Sequence, residues 1–164
     1  MRLKISHNME IAHRLSLAPE SSKCYKIHGH GMQVELLFLV EQGADGMAVN
    51  SANQPMEYGD MKKMFRDHID GKYDHHLILN EEDPWAVTLI DRNKGVNGVE
   101  GTLPGLVTVP GDPTTENLAK WIAEWACGNY RCDVICCIDE TQTNGAEVKY
   151  HWNSFGASMI RGSI

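Results

Sequence analysis

No run of the 164-residue chain approaches the ~20 consecutive apolar residues that a bilayer-spanning helix needs. The opening MRLKISHNMEIAHRL alternates polar with apolar residues and lacks the continuous apolar core of a secretory leader. A cytoplasmic protein with no membrane partner is therefore expected. Basic residues are scarce as well: 15 Lys and Arg against 22 Asp and Glu leave a net charge of −7. Nucleic acid is not the expected partner, because phosphate contacts need a basic surface. There is no CxxC pair, and five cysteines are an odd number with no disulfide-like framework. Internal repeats and low-complexity tracts are also missing, so neither a solenoid nor a disordered chain is indicated.

What remains is the composition of one globular domain spanning 1–164, with 42% hydrophobic and 23% charged residues. Residues 1–7 alternate as a strand does, with Leu3 and Ile5 on one face. A polar loop follows over 18–26, then a long Val-, Leu- and Phe-rich strand over 30–43. The Gly-, Asn- and Pro-bearing segment 43–55 reads as a hairpin-like connection. A first helix starts near Asp60, carries Met61, Met64, Phe65 and Ile69 as its apolar stripe, and stops by Gly71. The stretch 81–111 shows no clean period and reads as an elaborated connection with some strand near 106–109.

A second helix is better marked. Asp112, Pro113 and Thr114 supply turn and cap chemistry, and Glu116 suits the positive end of the helix dipole. Leu118, Trp121, Ile122 and Trp125 fall at i, i+3, i+4 and i+7, and Gly128 can close the helix. Two strands follow over 134–141 and 147–152, with a turn at Asn144-Gly145. The order predicts an α+β domain: an antiparallel four-stranded sheet with two helices on one face. The two edges of so open a sheet favour self-association.

The chemistry-bearing residues cluster in a few places. His28 and His30 sit at i and i+2 of a strand, so both imidazoles point to one face. Three neutral imidazoles with an open fourth position form a catalytic zinc site. For the third imidazole both His7 and His13 are available, and an H-x-H pair is also what two ordinary surface histidines look like. Cys24, flanked by Lys23 and Lys26, lies four residues before His28 and stands apart from the other cysteines, which crowd an apolar stretch where burial is expected. A thiol beside a metal-polarised substrate can move a proton. Asp74 next to His75 can fix an imidazole tautomer. Glu140 closes an apolar strand, either as an edge residue or as a recognition carboxylate.

Taken in order, H-x-L at His13, C-x-x-x-H-G-H from Cys24 to His30, D-H at Asp74-His75, P-T-T-E-N from Pro113 to Asn117 and E-T at Glu140-Thr141 resemble the 6-pyruvoyltetrahydropterin synthase family. The resemblance covers most of the chain and leaves 81–111 as an elaboration. It implies the tunnelling fold, ββααββ, in homohexamers built as two trimers with active sites between subunits. It implies that His13, His28 and His30 bind Zn2+ and that Cys24 is a base, with Asp74 and His75 as the partner proton relay. Glu140 would hold the pterin ring, with Thr114, Thr115 and Glu116 lining the same pocket.

Three residues between Cys24 and His28 resemble the 6-carboxytetrahydropterin synthases of 7-deazaguanine (queuosine) biosynthesis. The substrate implied is 7,8-dihydroneopterin triphosphate, converted to 6-carboxy-5,6,7,8-tetrahydropterin with loss of acetaldehyde and triphosphate. Lys23, Lys26 and Lys72 are candidates for meeting the triphosphate. Glu57-Tyr58 stands where the family usually has Asp-Phe. The alternatives are a 6-pyruvoyl synthase of the tetrahydrobiopterin type and a non-catalytic zinc- or pterin-binding protein.

Overall fold

Burial alternates along β1 (Arg2–His13): Leu3, Ile5, Met9, Ile11 and His13 point inward, while Lys4, Ser6, Asn8 and Glu10 point out. The computed structural model describes residues 1–94, 103–153 and 156–159. β2 (His28–Leu39) runs antiparallel to β1 in a register that pairs Arg2 with Leu39 and His13 with His28. Its Met32, Val34, Leu36 and Phe38 are buried on the same side. Each fully buried side chain of this size contributes about 1.5–3 kcal/mol over leaving it in water. The shared apolar face, more than strand propensity, holds the register, because a one-residue slip would turn it to solvent.

A two-strand hairpin, β3 (Glu41–Gln42) with β4 (Ala48–Val49), fills the expected connection. Next, α1 (Tyr58–Lys72) buries Met61, Phe65 and Ile69. Met64, expected in that stripe, is on the solvent side at 42% exposure. β5 (His76–Asn80) then lies parallel to β1 over Ile11–His13. The elaboration contains α2 (Pro84–Lys94) and β6 (Leu106–Val109), the latter parallel to β5. The strand near 106–109 is thus where the sequence put it, whereas α2 was not foreseen; residues 95–102 lie outside the described residues.

α3 (Thr115–Tyr130) has Thr114 as its N-cap, the hydroxyl accepting from the Asn117 N–H at 3.3 Å. Such a cap contributes about 1 kcal/mol. The helix does not stop at Gly128. It runs on to bury Tyr130, whose hydroxyl donates to the Met61 carbonyl at 2.8 Å, and it ends where Arg131 turns left-handed at φ 55°. β7 (Asp133–Asp139), β8 (Gly145–Asn153) and β9 (Gly156–Met159) follow. Gly145 is obligatory at the hairpin, since a Cβ there would collide with the Ile138 carbonyl.

The strands form one sheet in the order β6-β5-β1-β2-β7-β8-β9. The expected antiparallel four, β1-β2-β7-β8, is its centre, extended by two parallel strands on one side and by β9 on the other. α1 and α3 cover one face together, sharing a core with the inward residues of β1, β2 and β7. No helix among the described residues is long and apolar enough to cross a membrane.

Candidate metal centre

The paired ends of β1 and β2 set the site. His13 lies opposite His28, and Ile11 lies opposite His30, so three imidazoles emerge on the helix-covered face at the end of the core. Gly29 permits this spacing, because a Cβ there would come within 3.1 Å of the Ile11 carbonyl across the ladder. Ring centres are 4.5 Å apart for His13 and His28, 5.2 Å for His13 and His30, and 5.0 Å for His28 and His30. One nitrogen from each ring lies within 4.8 Å of the others.

Hydrogen bonding decides which nitrogens these are. His13 Nδ1 donates to the Pro113 carbonyl and His28 Nδ1 to the Lys26 carbonyl, each at 2.8 Å. A carbonyl only accepts, so each Nδ1 carries the proton and each Nε2 presents a lone pair in the neutral ring. These two Nε2 atoms are 3.1 Å apart. Two lone pairs at that distance repel unless a cation sits between them. Ligands about 2.0–2.1 Å from a tetrahedral zinc ion lie about 3.3 Å from one another, so the spacing fits such an ion. The backbone carbonyls act as the outer partners that metal-bound histidines use to fix their tautomers. Burial pushes the His13 pKa down, helped by His28 and His30, against the upward pull of the Pro113 carbonyl and Glu140. The neutral, ligating form is thereby favoured.

His7, the other candidate for the third imidazole, is elsewhere: its Nε2 is 2.9 Å from Asp70 and its ring meets Phe65 edge-on. Glu140 does join the cluster. Its Oε1 lies 3.7 Å from His30 Nε2 and 4.0 Å from His13 Nε2, and its Oε2 accepts from the Asn144 amide at 2.6 Å. Asn144 was legible only as a turn residue; its hold on Glu140 is an addition.

A model of 6-pyruvoyl tetrahydropterin synthase matches residues 2–150 of the chain. The chain belongs to the 6-pyruvoyl tetrahydropterin synthase family. Membership makes it a pterin-processing lyase. No curated protein matches the chain by sequence at a significant level. Among solved structures, an uncharacterized protein from Wolinella succinogenes superposes with a TM-score of 0.67 at 18% identity, covering 90% of this chain and 97% of that one. A catalytic-residue variant of the Plasmodium vivax 6-pyruvoyltetrahydropterin synthase gives 0.62 at 16% identity, covering 92% and 98%. The Caenorhabditis elegans 6-pyruvoyl tetrahydropterin synthase gives 0.56 at 17%, covering 93% and 96%. These likenesses show the same fold, the tunnelling fold of the synthase family.

The remaining synthase motifs differ in where they lie relative to the centre. Cys24 is half-buried in a short 3-10 turn, Lys23–Tyr25, two residues before the carbonyl that orients His28. Its N–H donates to Ser22 Oγ at 3.2 Å and its carbonyl accepts from the Leu15 N–H at 2.9 Å. Asp112 serves both the loop and the helix: Oδ1 accepts from the Ser16 N–H and hydroxyl and Oδ2 from the Leu17 N–H, while its carbonyl accepts from the Thr114 N–H and the Asn117 side-chain amide, each at 2.8 Å. Of Thr114, Thr115 and Glu116, the first is occupied as the cap, the second is buried and the third is exposed. Lys72 borders an apolar surface cleft with Trp121 and Trp125 rather than the Lys23–Lys26 turn.

Asp74 and His75 are not beside the three histidines. Asp74 Oδ1 accepts from the Glu10 N–H at 2.7 Å, on the outer edge of β1, and Oδ2 accepts from His75 Nδ1 at 2.6 Å. Burial raises the Asp74 carboxyl, but the hydrogen bonds from Glu10 and His75, with the nearby His75 and His7 rings, bring it below its ordinary value. His75 is largely exposed, has a left-handed backbone at φ 59°, and lines a cleft of about 440 Å³ with Glu10, Gly29 and Gly31. Glu10, Gly29 and Gly31 alternate away from the inward residues, and Ile11 and His30 also line the cleft, so it lies along the strand ends that carry the imidazoles.

Proposed function

We propose that this chain is a zinc-dependent lyase converting 7,8-dihydroneopterin triphosphate to 6-carboxy-5,6,7,8-tetrahydropterin, with release of acetaldehyde and triphosphate, a step toward 7-deazaguanine (queuosine) compounds. The observation that carries it is the convergence of three imidazoles, two with their Nε2 lone pairs set face to face, beside an anchored carboxylate. Zinc bound there supplies Lewis acidity toward the side-chain oxygens of the substrate and eases enolisation. Cys24 takes a proton from the side chain next to the pterin ring. Glu140 accepts the N–C–N edge of the pterin as a bidentate partner and sets its orientation. Thr114, Thr115 and Glu116 line the wall behind it.

Asp74 and His75 move the second proton. The carboxylate holds the Nδ1 proton of His75 and leaves Nε2 free to exchange one. Because the pair sits on the far edge of β1, it serves the histidine centre of another copy, in a hexamer of two trimers. The strand edge supports this: β5 pairs with β1 over Ile11–His13, and among the described residues Arg2–Met9 have no strand neighbour on that side.

A 6-pyruvoyl product, formed by triphosphate elimination, is the second reading, favoured by the name of the matching family model and of the Plasmodium vivax and Caenorhabditis elegans structures. Product analysis of the zinc-loaded protein with dihydroneopterin triphosphate separates the two. Acetaldehyde release supports the 6-carboxy reading; a 6-pyruvoyl product overturns it. Bound zinc without turnover would make the protein a binding protein.

A further inference from the structure

Arg14 follows the buried His13 and is itself 3% exposed. A buried cation is costly unless it is paired and hydrogen-bonded. Its Nη1 donates to both carboxylate oxygens of Asp83, at 2.9 and 3.2 Å, and its Nε donates to the Tyr25 carbonyl at 2.7 Å. The guanidinium carbon lies 4.3 Å from the centre of the Tyr25 ring and 4.5 Å from that of Trp85. Asp83 is 1% exposed and also opens α2, its Oδ1 accepting from the Trp85 N–H at 2.9 Å. One cation therefore ties the start of α2 to the turn that carries Cys24, and the catalytic reading above makes no use of it.

Three consecutive carbonyls of that turn each accept a separate hydrogen bond. Cys24 receives one from the Leu15 N–H, Tyr25 from Arg14 Nε and Lys26 from His28 Nδ1. Every donor belongs to, or lies within two residues of, a strand end that carries one of the imidazoles. These three bonds tie the turn that carries the thiol to the strand ends of the histidine centre. Of the three donors, Arg14 is the one whose own placement is fixed from the 81–111 elaboration, through Asp83 and Trp85.

We propose that Arg14, clamped by Asp83 and Trp85, is a positioning residue that holds the Cys24 turn beside the three histidines, and that this clamp is what α2 contributes to the site. The effect on turnover rests on the reading of Cys24 as the base; the effect on the thiol itself does not. Arg14 touches no reacting atom. Lysine keeps the charge but cannot reproduce a planar fork that pairs with a carboxylate and stacks on rings.

The test is iodoacetamide labelling of the zinc-loaded full chain, read at each cysteine by mass spectrometry, in wild type, Trp85→Ala and Arg14→Lys. Cys127, Cys132 and Cys136 are buried and report on global opening. Loosening the clamp is expected to speed Cys24 labelling about fivefold without exposing those three thiols or releasing zinc. In parallel kcat should fall about tenfold with little change in KM, as a misplaced proton-transfer group requires. Unchanged Cys24 labelling in both variants overturns the proposal. So does a matching rise at the three buried cysteines, which would reduce Arg14 to a general contributor to stability. If Cys24→Ala keeps wild-type turnover, the base reading fails, while the labelling of Cys24 in Trp85→Ala still decides the clamp.

Discussion

His13 and His28 point their Nε2 atoms at each other across 3.1 Å, although each ring has already committed its Nδ1 proton to a backbone carbonyl. A pair of neutral imidazoles has no reason to adopt that arrangement in isolation. A shared cation gives it one.

The protein is accordingly expected to purify with one divalent ion per chain, and His28→Ala to lose it. Ligand linkage stabilises the folded state by about 4 kcal/mol when free metal is a thousandfold above its Kd. A chelator should therefore lower the Tm of wild type and leave His28→Ala unchanged. Full metal content in His28→Ala would show that the imidazoles do not hold the ion.

Cys24→Ala should retain the metal and lose at least about 100-fold in turnover, the usual contribution of a positioned base. Steady-state kinetics with metal analysis on the same sample checks both halves. Wild-type turnover would end the role given to this thiol.

Glu140→Gln should weaken pterin binding about tenfold or more, since a charge-assisted bidentate contact becomes a neutral one. Asn144→Ala, which frees only the far oxygen of that carboxylate, should show the same change in smaller degree. Titration of pterin fluorescence reads both, and equal binding by all three proteins would move the ring elsewhere.

Cys24→Ala and His75→Ala subunits, each inactive alone, should regain activity when unfolded, mixed and refolded together, because a mixed oligomer contains some sites with both groups intact. Absence of recovery in a properly assembled mixture would put Asp74 and His75 outside the site of any neighbour.

His68 carries a pH dependence of stability. Its ring stacks on Trp125 at 3.7 Å, nearly parallel, and its Nε2 has no hydrogen-bond partner among the described residues. Burial, with the charge of Lys72 adding to it, pushes its pKa down from 6.5 to about 4. The unfolded chain then takes up a proton that the folded chain refuses, so stability is full above pH 6.5 and falls as pH drops toward 4. The loss at pH 5 is roughly 1–2 kcal/mol from this one group. His68→Phe keeps the stacking and should narrow the Tm gap between pH 7 and pH 5; an unchanged gap would assign the acid sensitivity to other groups.

Much of this was legible in the chain because strand periodicity is local. The i, i+2 spacing put His28 and His30 on one face, and the cap and stripe of α3 were visible around Thr114, Leu118 and Ile122. α2 escaped notice because its inward side is short: Ala86 is buried, but Trp85 and Val87 are exposed. The signal was there in Asp83 followed by Pro84, a capping residue with proline at the first helical position. Gly128 suggested a helix end, and burial of Tyr130 against α1 carried the helix past it.

From the sequence alone came the four central strands, the helices α1 and α3, and the pair of histidines that must share a face. Periodicity could not choose between His7 and His13, which lie on the same side of β1. Only the antiparallel register did so, by setting His13 opposite His28 and His7 opposite Val34. The partners of the site are likewise distant along the chain: Pro113 is 100 residues from His13, and Asp83 is 69 residues from Arg14. Register and packing are properties of surfaces meeting, and no local pattern of side chains contains them.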